Sequence, residues 1–290
     1  MRRCEERSKL PDASLCDKPA PLTRRFAHRR GLHCYCEKPV SRDYEEGKKA
    51  IDSFDNSKLW CAYYRRYLPK FVAIRAALPK LGSITGVKVT LRQKRHLMPE
   101  DKKNHWHFEK EVSGGGLIMD LGSHILDLLD NLLGPLLNVN GSCSRVHSGS
   151  PGGDDIEDTV VGFWKHEGGD QGPILGSCEF NFAAGENLDE IRIQGTQGTL
   201  SFAAFSDVPA VYSSVSEDVE PEMVGFDHLG GVQEHVHGLL FASIVDDLIA
   251  GTSLCANTES SALRTMVVLD KLLGGRENWR DNKIESKEEK

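Results

Sequence analysis

The chain has 290 residues, 39% hydrophobic and 27% charged, with a net charge of -7 at pH 7. That composition belongs to a globular protein with room for one large core or two moderate ones. The negative net charge argues against the basic face a nucleic-acid binder needs, though it leaves room for a local basic patch, and no apolar run reaches the ~18 residues of a membrane span.

Residues 1–30 are rich in Arg, Lys and Pro without hydrophobic period and read as a poorly ordered lead-in. Acidic residues at Glu5, Glu6, Asp12 and Asp17 argue against a transit peptide. Strand-helix alternation follows. A strand is expected at 31–36, a turn at Pro39, a helix at 43–53 begun by Ser41 or Asp43, a strand at 58–63 and a helix at 67–78.

Beyond Leu81 the texture changes. Residues 84–96 alternate as a half-buried strand, and 103–108 form an irregular approach to the stretch Gly114 to Gly134. Five more strand candidates follow that stretch, with GTQG (195–198) as a hairpin turn, and two amphipathic helices end at glycines. Residues 277–290 are a charged tail.

The stretch from Gly114 to Gly134 carries the chemistry. Leu117, Ile118, Leu121, Ile125, Leu128, Leu129 and Leu132 recur at helical spacing and make a buried stripe. Asp120, His124 and Asp127 follow at i, i+4 and i+7, so one side of the same rod carries a carboxylate, an imidazole and a carboxylate. Three glycines at its entry are expected to open the helix N-terminus to a ligand. An ordinary amphipathic helix with a solvated polar face explains the same pattern equally well.

Glu37-Lys38-Pro39 together with GGGxxxDxGxHxxD and the intervening WCAYYRRYLPKF resembles the glucose-fructose oxidoreductase, inositol dehydrogenase and rhizopine-catabolism family, Gfo/Idh/MocA. The resemblance runs from about Gly31 to Gly275. It implies an α/β remnant of a Rossmann domain at 31–80 joined to an α+β substrate-binding and oligomerisation domain at 81–276, with an open, mostly antiparallel sheet. Implied activity is NAD(P)-dependent hydride transfer to or from a sugar, polyol or dihydrodiol carbinol, with NAD or NADP as cofactor. The family's catalytic lysine, aspartate and histidine fall on Lys38, Asp120 and His124. Glu37, Lys38, Pro39 and Arg65 are expected at the cofactor, and Tyr64, Asp120 and His124 at the substrate.

The residue types suit that chemistry. Alcohol oxidation needs a base near neutrality, which His124 offers, and a cation to hold the alkoxide, which Lys38 offers. Asp120 is expected to orient the imidazole, stabilise its charged form or bind a neighbouring hydroxyl. Singly, each has an alternative: a satisfied core histidine, a solvated carboxylate, a surface lysine. One family feature is missing from this sequence: residues 1–30 contain no glycine, so no G-x-G-x-x-G turn precedes the first strand. An inactive binding or regulatory protein of the same descent therefore stands as the second reading. A metal hydrolase using Asp120, His124 and an H-x-H pair (His105 and His107, or His235 and His237, with His228 nearby) is a distant third, since those pairs lack acidic ligands, and no metal is expected.

The eight cysteines form no C-x-x-C pairs, so reduced, packed thiols and a cytoplasmic location are expected. The expected partner is a small carbohydrate or polyol. A homo-oligomer through the open sheet face is expected, because the strands outnumber the helices available to cover them.

Overall fold

A computed structural model describes residues 32–52, 58–94, 109–145, 156–167, 172–225 and 235–274. The lead-in, the tail, the approach at 103–108, one end each of three expected elements (Gly31, Ser53, 95–96) and His105, His107 and His228 lie outside these residues.

The first strands are short and parallel: β1 (Cys34–Cys36) pairs with β2 (Leu59–Cys61). Between them runs α1 (Tyr44–Asp52). Of the two expected starters, Asp43 is the cap: its Oδ1 accepts the Glu46 N–H at 2.7 Å, satisfying one of the first-turn donors. A 3-10 turn at Tyr64–Tyr67 leads into α2 (Pro69–Ala77), whose first residue is a proline, where a missing N–H costs nothing.

An eight-stranded sheet forms the body. In chain order its strands are β3 (Ile84–Lys94), β4 (Leu137–Ser144), β5 (Thr159–His166), β6 (Ile174–Ala184), β7 (Leu188–Gly195), β8 (Gly198–Phe202), β9 (Ala210–Ser214) and β10 (Glu222–Val224). Their order in space is β10-β9-β8-β7-β3-β6-β5-β4. Only β3 and β6 pair in parallel, and the remaining neighbours are antiparallel. The open, mostly antiparallel sheet is therefore as expected, and Thr196-Gln197 makes the two-residue hairpin between β7 and β8. Two strands were not anticipated. β9 and β10 are short, and their serine-rich and acidic flanks hide the period-2 signal.

Alternation sets the two faces. Val87, Val89, Leu91, Val160, Trp164, Phe180, Ile191, Ile193, Leu200 and Phe202 point into one buried cluster beneath the helices. On the outer face Val161, Phe163 and Leu175 are 48%, 60% and 64% exposed, the first two along β5 and Leu175 on β6 diagonal to Phe163.

The central helix differs from expectation at its start. Gly114–Gly116 form a bend after a short helix, α3 (Lys110–Ser113), and helical structure begins at Leu117. Its first turn, Ile118–Gly122, is a π-turn; α4 (Ser123–Leu133) continues from it and stops at Gly134, whose φ of 86° only glycine adopts readily. The extra residue shifts the helical phase, and a reading at 3.6 residues per turn cannot see it.

α4 is also buried on nearly every side. It packs beside α6 (Glu259–Leu273), with the Tyr64–Tyr67 turn across its flank. Leu126, Leu128 and Leu129 are sealed from solvent, each contributing about 1.5–3 kcal/mol by burial. Only a glycine at 162 lets α6 come so close to β5, since a Cβ there would stand 2.2 Å from Leu272 Cδ2. The other late helix, α5 (Gly238–Ala250), packs through Leu240 and Ile244 against Trp60 and Cys255. No helix among the described residues is long and apolar enough to cross a membrane.

Candidate active site

β1 ends where Lys38 begins its approach to the π-turn. The Lys38-Pro39 peptide is cis, and Pro39 is half-buried. Lys38 Nζ donates to the Asp120 backbone carbonyl at 3.1 Å and forms an ion pair with Asp120 Oδ1. Both side chains keep some exposure, 14% for Lys38 and 27% for Asp120, so this pair sits at an opening rather than in the core. Glu37 is exposed on the same loop.

His124 stands one turn further along, only 5% exposed. Tyr63, Tyr64 and Phe205 present their rings edge-on to it, with centroids 6.0, 5.4 and 6.4 Å away. Its Nδ1 has no hydrogen-bond partner among the described residues. Burial is the main force holding its pKa well below the ordinary 6.5, and the nearby charges of Lys38, Arg65 and His237 push the same way. His124 is therefore neutral at pH 7, but more weakly basic than the near-neutral value expected.

Three expectations need correction. Asp120 does not orient the imidazole through Oδ1, because that oxygen is engaged by Lys38. Asp127 does not face the site: it is 1% exposed and receives Arg66 Nε at 2.7 Å and Arg66 Nη2. Since α4 is enclosed, a carboxylate on its far flank needs a cation, and the 3-10 turn supplies one. Burial still pushes the Asp127 carboxyl up to about 6, against the opposing pull of Arg66. The glycine entry, thirdly, is closed to ligands. A Cβ on Gly114 would lie 2.5 Å from the Arg42 carbonyl oxygen, and one on Gly116 2.5 Å from Ile156 Cγ2. Glu157 takes the Gly116 N–H at 3.1 Å.

Tyr64, expected at the substrate, does flank His124. Arg65, expected at the cofactor, turns instead to the segment after β8: its Nη1 donates to Ala204 O at 2.6 Å and its guanidinium lies 4.4 Å from the Phe205 ring centroid. Phe205 itself was missed, because a phenylalanine in a Ser- and Ala-rich turn carries no local signal. His237 was weighed as a metal ligand; its Nδ1 instead shares a 2.6 Å hydrogen bond with Tyr35 Oη, and its ring packs against Tyr64 at 4.6 Å. No cluster of three or more metal-type ligands occurs among the described residues.

The sequence and the fold resemble those of known proteins. The family model for the GFO/IDH/MocA C-terminal domain matches residues 73–201. Oxidoreductase P35 of Formosa agariphila is 26% identical over 247 residues, 82% of this chain and 70% of that protein. In sequence the chain resembles the Gfo/Idh/MocA oxidoreductases. Levoglucosan dehydrogenase of Pseudarthrobacter phenanthrenivorans is 24% identical over 59% of this chain. The chain spans 49% of that relative's length. Among solved structures, levoglucosan dehydrogenase in complex with NADH and levoglucosan superposes with a TM-score of 0.75 at 20% identity, covering 90% of this chain and 77% of that one. The aldose-aldose oxidoreductase of Caulobacter crescentus complexed with glycerol gives 0.72 at 18% identity, covering 90% and 76%. These two likenesses speak for the fold.

Proposed function

We propose that the chain carries the substrate side of an NAD(P)-dependent oxidoreductase acting on a sugar, polyol or dihydrodiol carbinol. One observation carries the reading: the Lys38–Asp120 pair at an opening beside a buried, neutral His124 with an unpartnered Nδ1. The sugar oxidoreductases among its relatives support the substrate class.

In this reading Lys38 donates to the carbinol oxygen and holds the alkoxide as it forms. His124 takes the hydroxyl proton at Nδ1, and Asp120 fixes the Lys38 ammonium. Tyr64 lines the substrate side. A nicotinamide, when bound, supplies the hydride acceptor or donor. The residues fit such a cofactor at one end only. Lys38 meets Asp120, and Glu37 and Pro39 flank Lys38 in the chain, the end this reading gives to the nicotinamide. At the pyrophosphate end, no glycine-rich turn joins a strand to a helix among the described residues. Gly47, the glycine of the β1–α1 unit, sits inside α1, where a Cβ would meet Ser41 Oγ at 2.5 Å.

We therefore assign residues 31–80 as the C-terminal part of a dinucleotide-binding domain and 81–276 as the substrate and oligomerisation domain. The second reading, a cofactor-free binding or regulatory protein, draws on that same missing turn. Joining the chain to the glycine-rich half of a relative and following nicotinamide reduction with a panel of pyranoses and polyols separates the two. The oxidoreductase reading expects turnover that falls about 10²–10⁴-fold in His124→Asn. An inert fusion that binds cofactor normally supports the second reading.

We infer a homo-oligomer through the outer sheet face, since Val161, Phe163 and Leu175 form an apolar patch there. A cytoplasmic location goes with this reading, and the six described cysteines are all buried.

A further inference from the structure

Between β8 and β9 three charged side chains grip the turn Ala203–Ser206 by its backbone. Asp189 on β7 accepts the Ala204 N–H at 2.9 Å and the Phe205 N–H at 2.7 Å. Lys70 on α2 donates to Ala203 O and Ser206 O, both at 2.8 Å, and Arg65 donates to Ala204 O at 2.6 Å. Lys70 is only 6% exposed. A buried ammonium is costly, and the acceptors it receives here are backbone carbonyls of this one turn. Few surface turns are so completely fixed.

What the clamp holds in place is the Phe205 ring. One neighbour is the Arg65 guanidinium, 4.4 Å from the ring centroid, and another is the His124 imidazole at 6.4 Å, inclined by 74°. Phe205 remains partly exposed although it packs on the core. A fixed aromatic ring thus stands beside the His124 imidazole, with the Arg65 guanidinium over one of its faces.

We propose that Phe205 is the specificity-determining wall of the carbinol site, the surface on which the C–H face of a six-membered carbohydrate ring packs while its hydroxyl meets Lys38 and His124. Asp189, Lys70 and Arg65 are its positioning residues. The inference rests on the carbinol-site reading given above. A pyranose suits the wall for two reasons. Its ring C–H bonds present an apolar, slightly positive surface to an aromatic ring, and a closed ring forfeits less rotational freedom on binding than an open-chain polyol.

The test uses the 290-residue chain with levoglucosan and glycerol as probes, and two independent readouts. The first is the NMR titration of the His124 imidazole, whose facing charges are Lys38, Arg65 and His237. Phe205→Ala is expected to shift its midpoint upward by admitting water, and Phe205→Tyr to leave it near the wild-type position. The second is saturation transfer to levoglucosan. Binding is expected to weaken about tenfold in Phe205→Ala, the equivalent of about 1.4 kcal/mol, to recover in Phe205→Tyr and to weaken in Asp189→Asn, with glycerol inferior to levoglucosan throughout. An unmoved His124 titration in Phe205→Ala overturns the wall, as does equal levoglucosan binding by wild type and Phe205→Ala. If His124 responds to Phe205→Ala but the wild type binds no levoglucosan, the pyranose assignment and the carbinol reading fall together while the wall geometry stands.

Discussion

Arg66 and Asp127 meet as a two-pronged ion pair with side chains only 4% and 1% exposed, and Arg66 Nη1 completes its set on Ala256 O at 2.8 Å. The pair pins the Tyr64–Tyr67 turn to α4, and so fixes Tyr64 and Arg65 against His124. Breaking one partner leaves the other charged and buried. Asp127→Ala is expected to cost about 3–5 kcal/mol in urea unfolding, whereas the double change Arg66→Met with Asp127→Leu recovers most of that loss. A single change costing under about 1 kcal/mol would show that the turn is held by something else.

His124 gives a pH signature. Its folded pKa lies well below its unfolded value near 6.5, so the unfolded chain binds the proton more readily. The stability this residue contributes is complete above about pH 6.5 and is lost as pH falls below it. Buried His166 shifts the same way, again chiefly through burial, while the raised Asp127 works in the opposite sense. The measurement is therefore a difference. Between pH 7.5 and 5.5 wild type is expected to lose more stability than His124→Phe, by up to about 1.4 kcal/mol per pH unit. Parallel pH curves for the two proteins would contradict the burial argument.

Gly116 tests the closed glycine bend. An added methyl meets Ile156 Cγ2 at 2.5 Å and the Glu157 carbonyl oxygen at 3.0 Å, and it disturbs the bond from Gly116 N to Glu157. Gly116→Ala is expected to destabilise by about 1–3 kcal/mol in a thermal melt. A melt unchanged from wild type would mean that the bend has slack, and with it room for a ligand.

The outer sheet face is tested by Phe163→Glu. Light scattering of the wild type is expected to show an oligomer, and the variant a monomer with an unchanged circular dichroism spectrum. A wild-type monomer at every concentration removes the proposal.

Much of the scaffold was legible because the signals are local. Asp43 as cap, the Gly198-bounded hairpin and the glycine stops of α4 and α5 each follow from residues within a few positions of one another. Lys38 and Asp120 lie 82 residues apart, and motif resemblance rather than spacing joined them. What escaped notice depends on distant partners. The parallel β3–β6 pairing, the Arg66 partner of Asp127 and the clamp on Phe205 are tertiary, and the π-turn changes a period that pattern reading assumes constant. The glycines before Leu117 were misread for the same reason: Arg42 and Ile156, which fill the space around them, are remote in sequence.

Calorimetric titration of NAD(H) and NADP(H) into the 290-residue chain tests the account most directly. Lys38, Asp120 and His124 handle the carbinol end, but a dinucleotide draws most of its anchoring from backbone N–H groups at a glycine turn and the helix behind it. Among the described residues nothing offers that cradle. The expected result is binding too weak to register at micromolar concentrations for either cofactor. Micromolar affinity for one of them would contradict the account and mean that other residues of this chain hold the pyrophosphate.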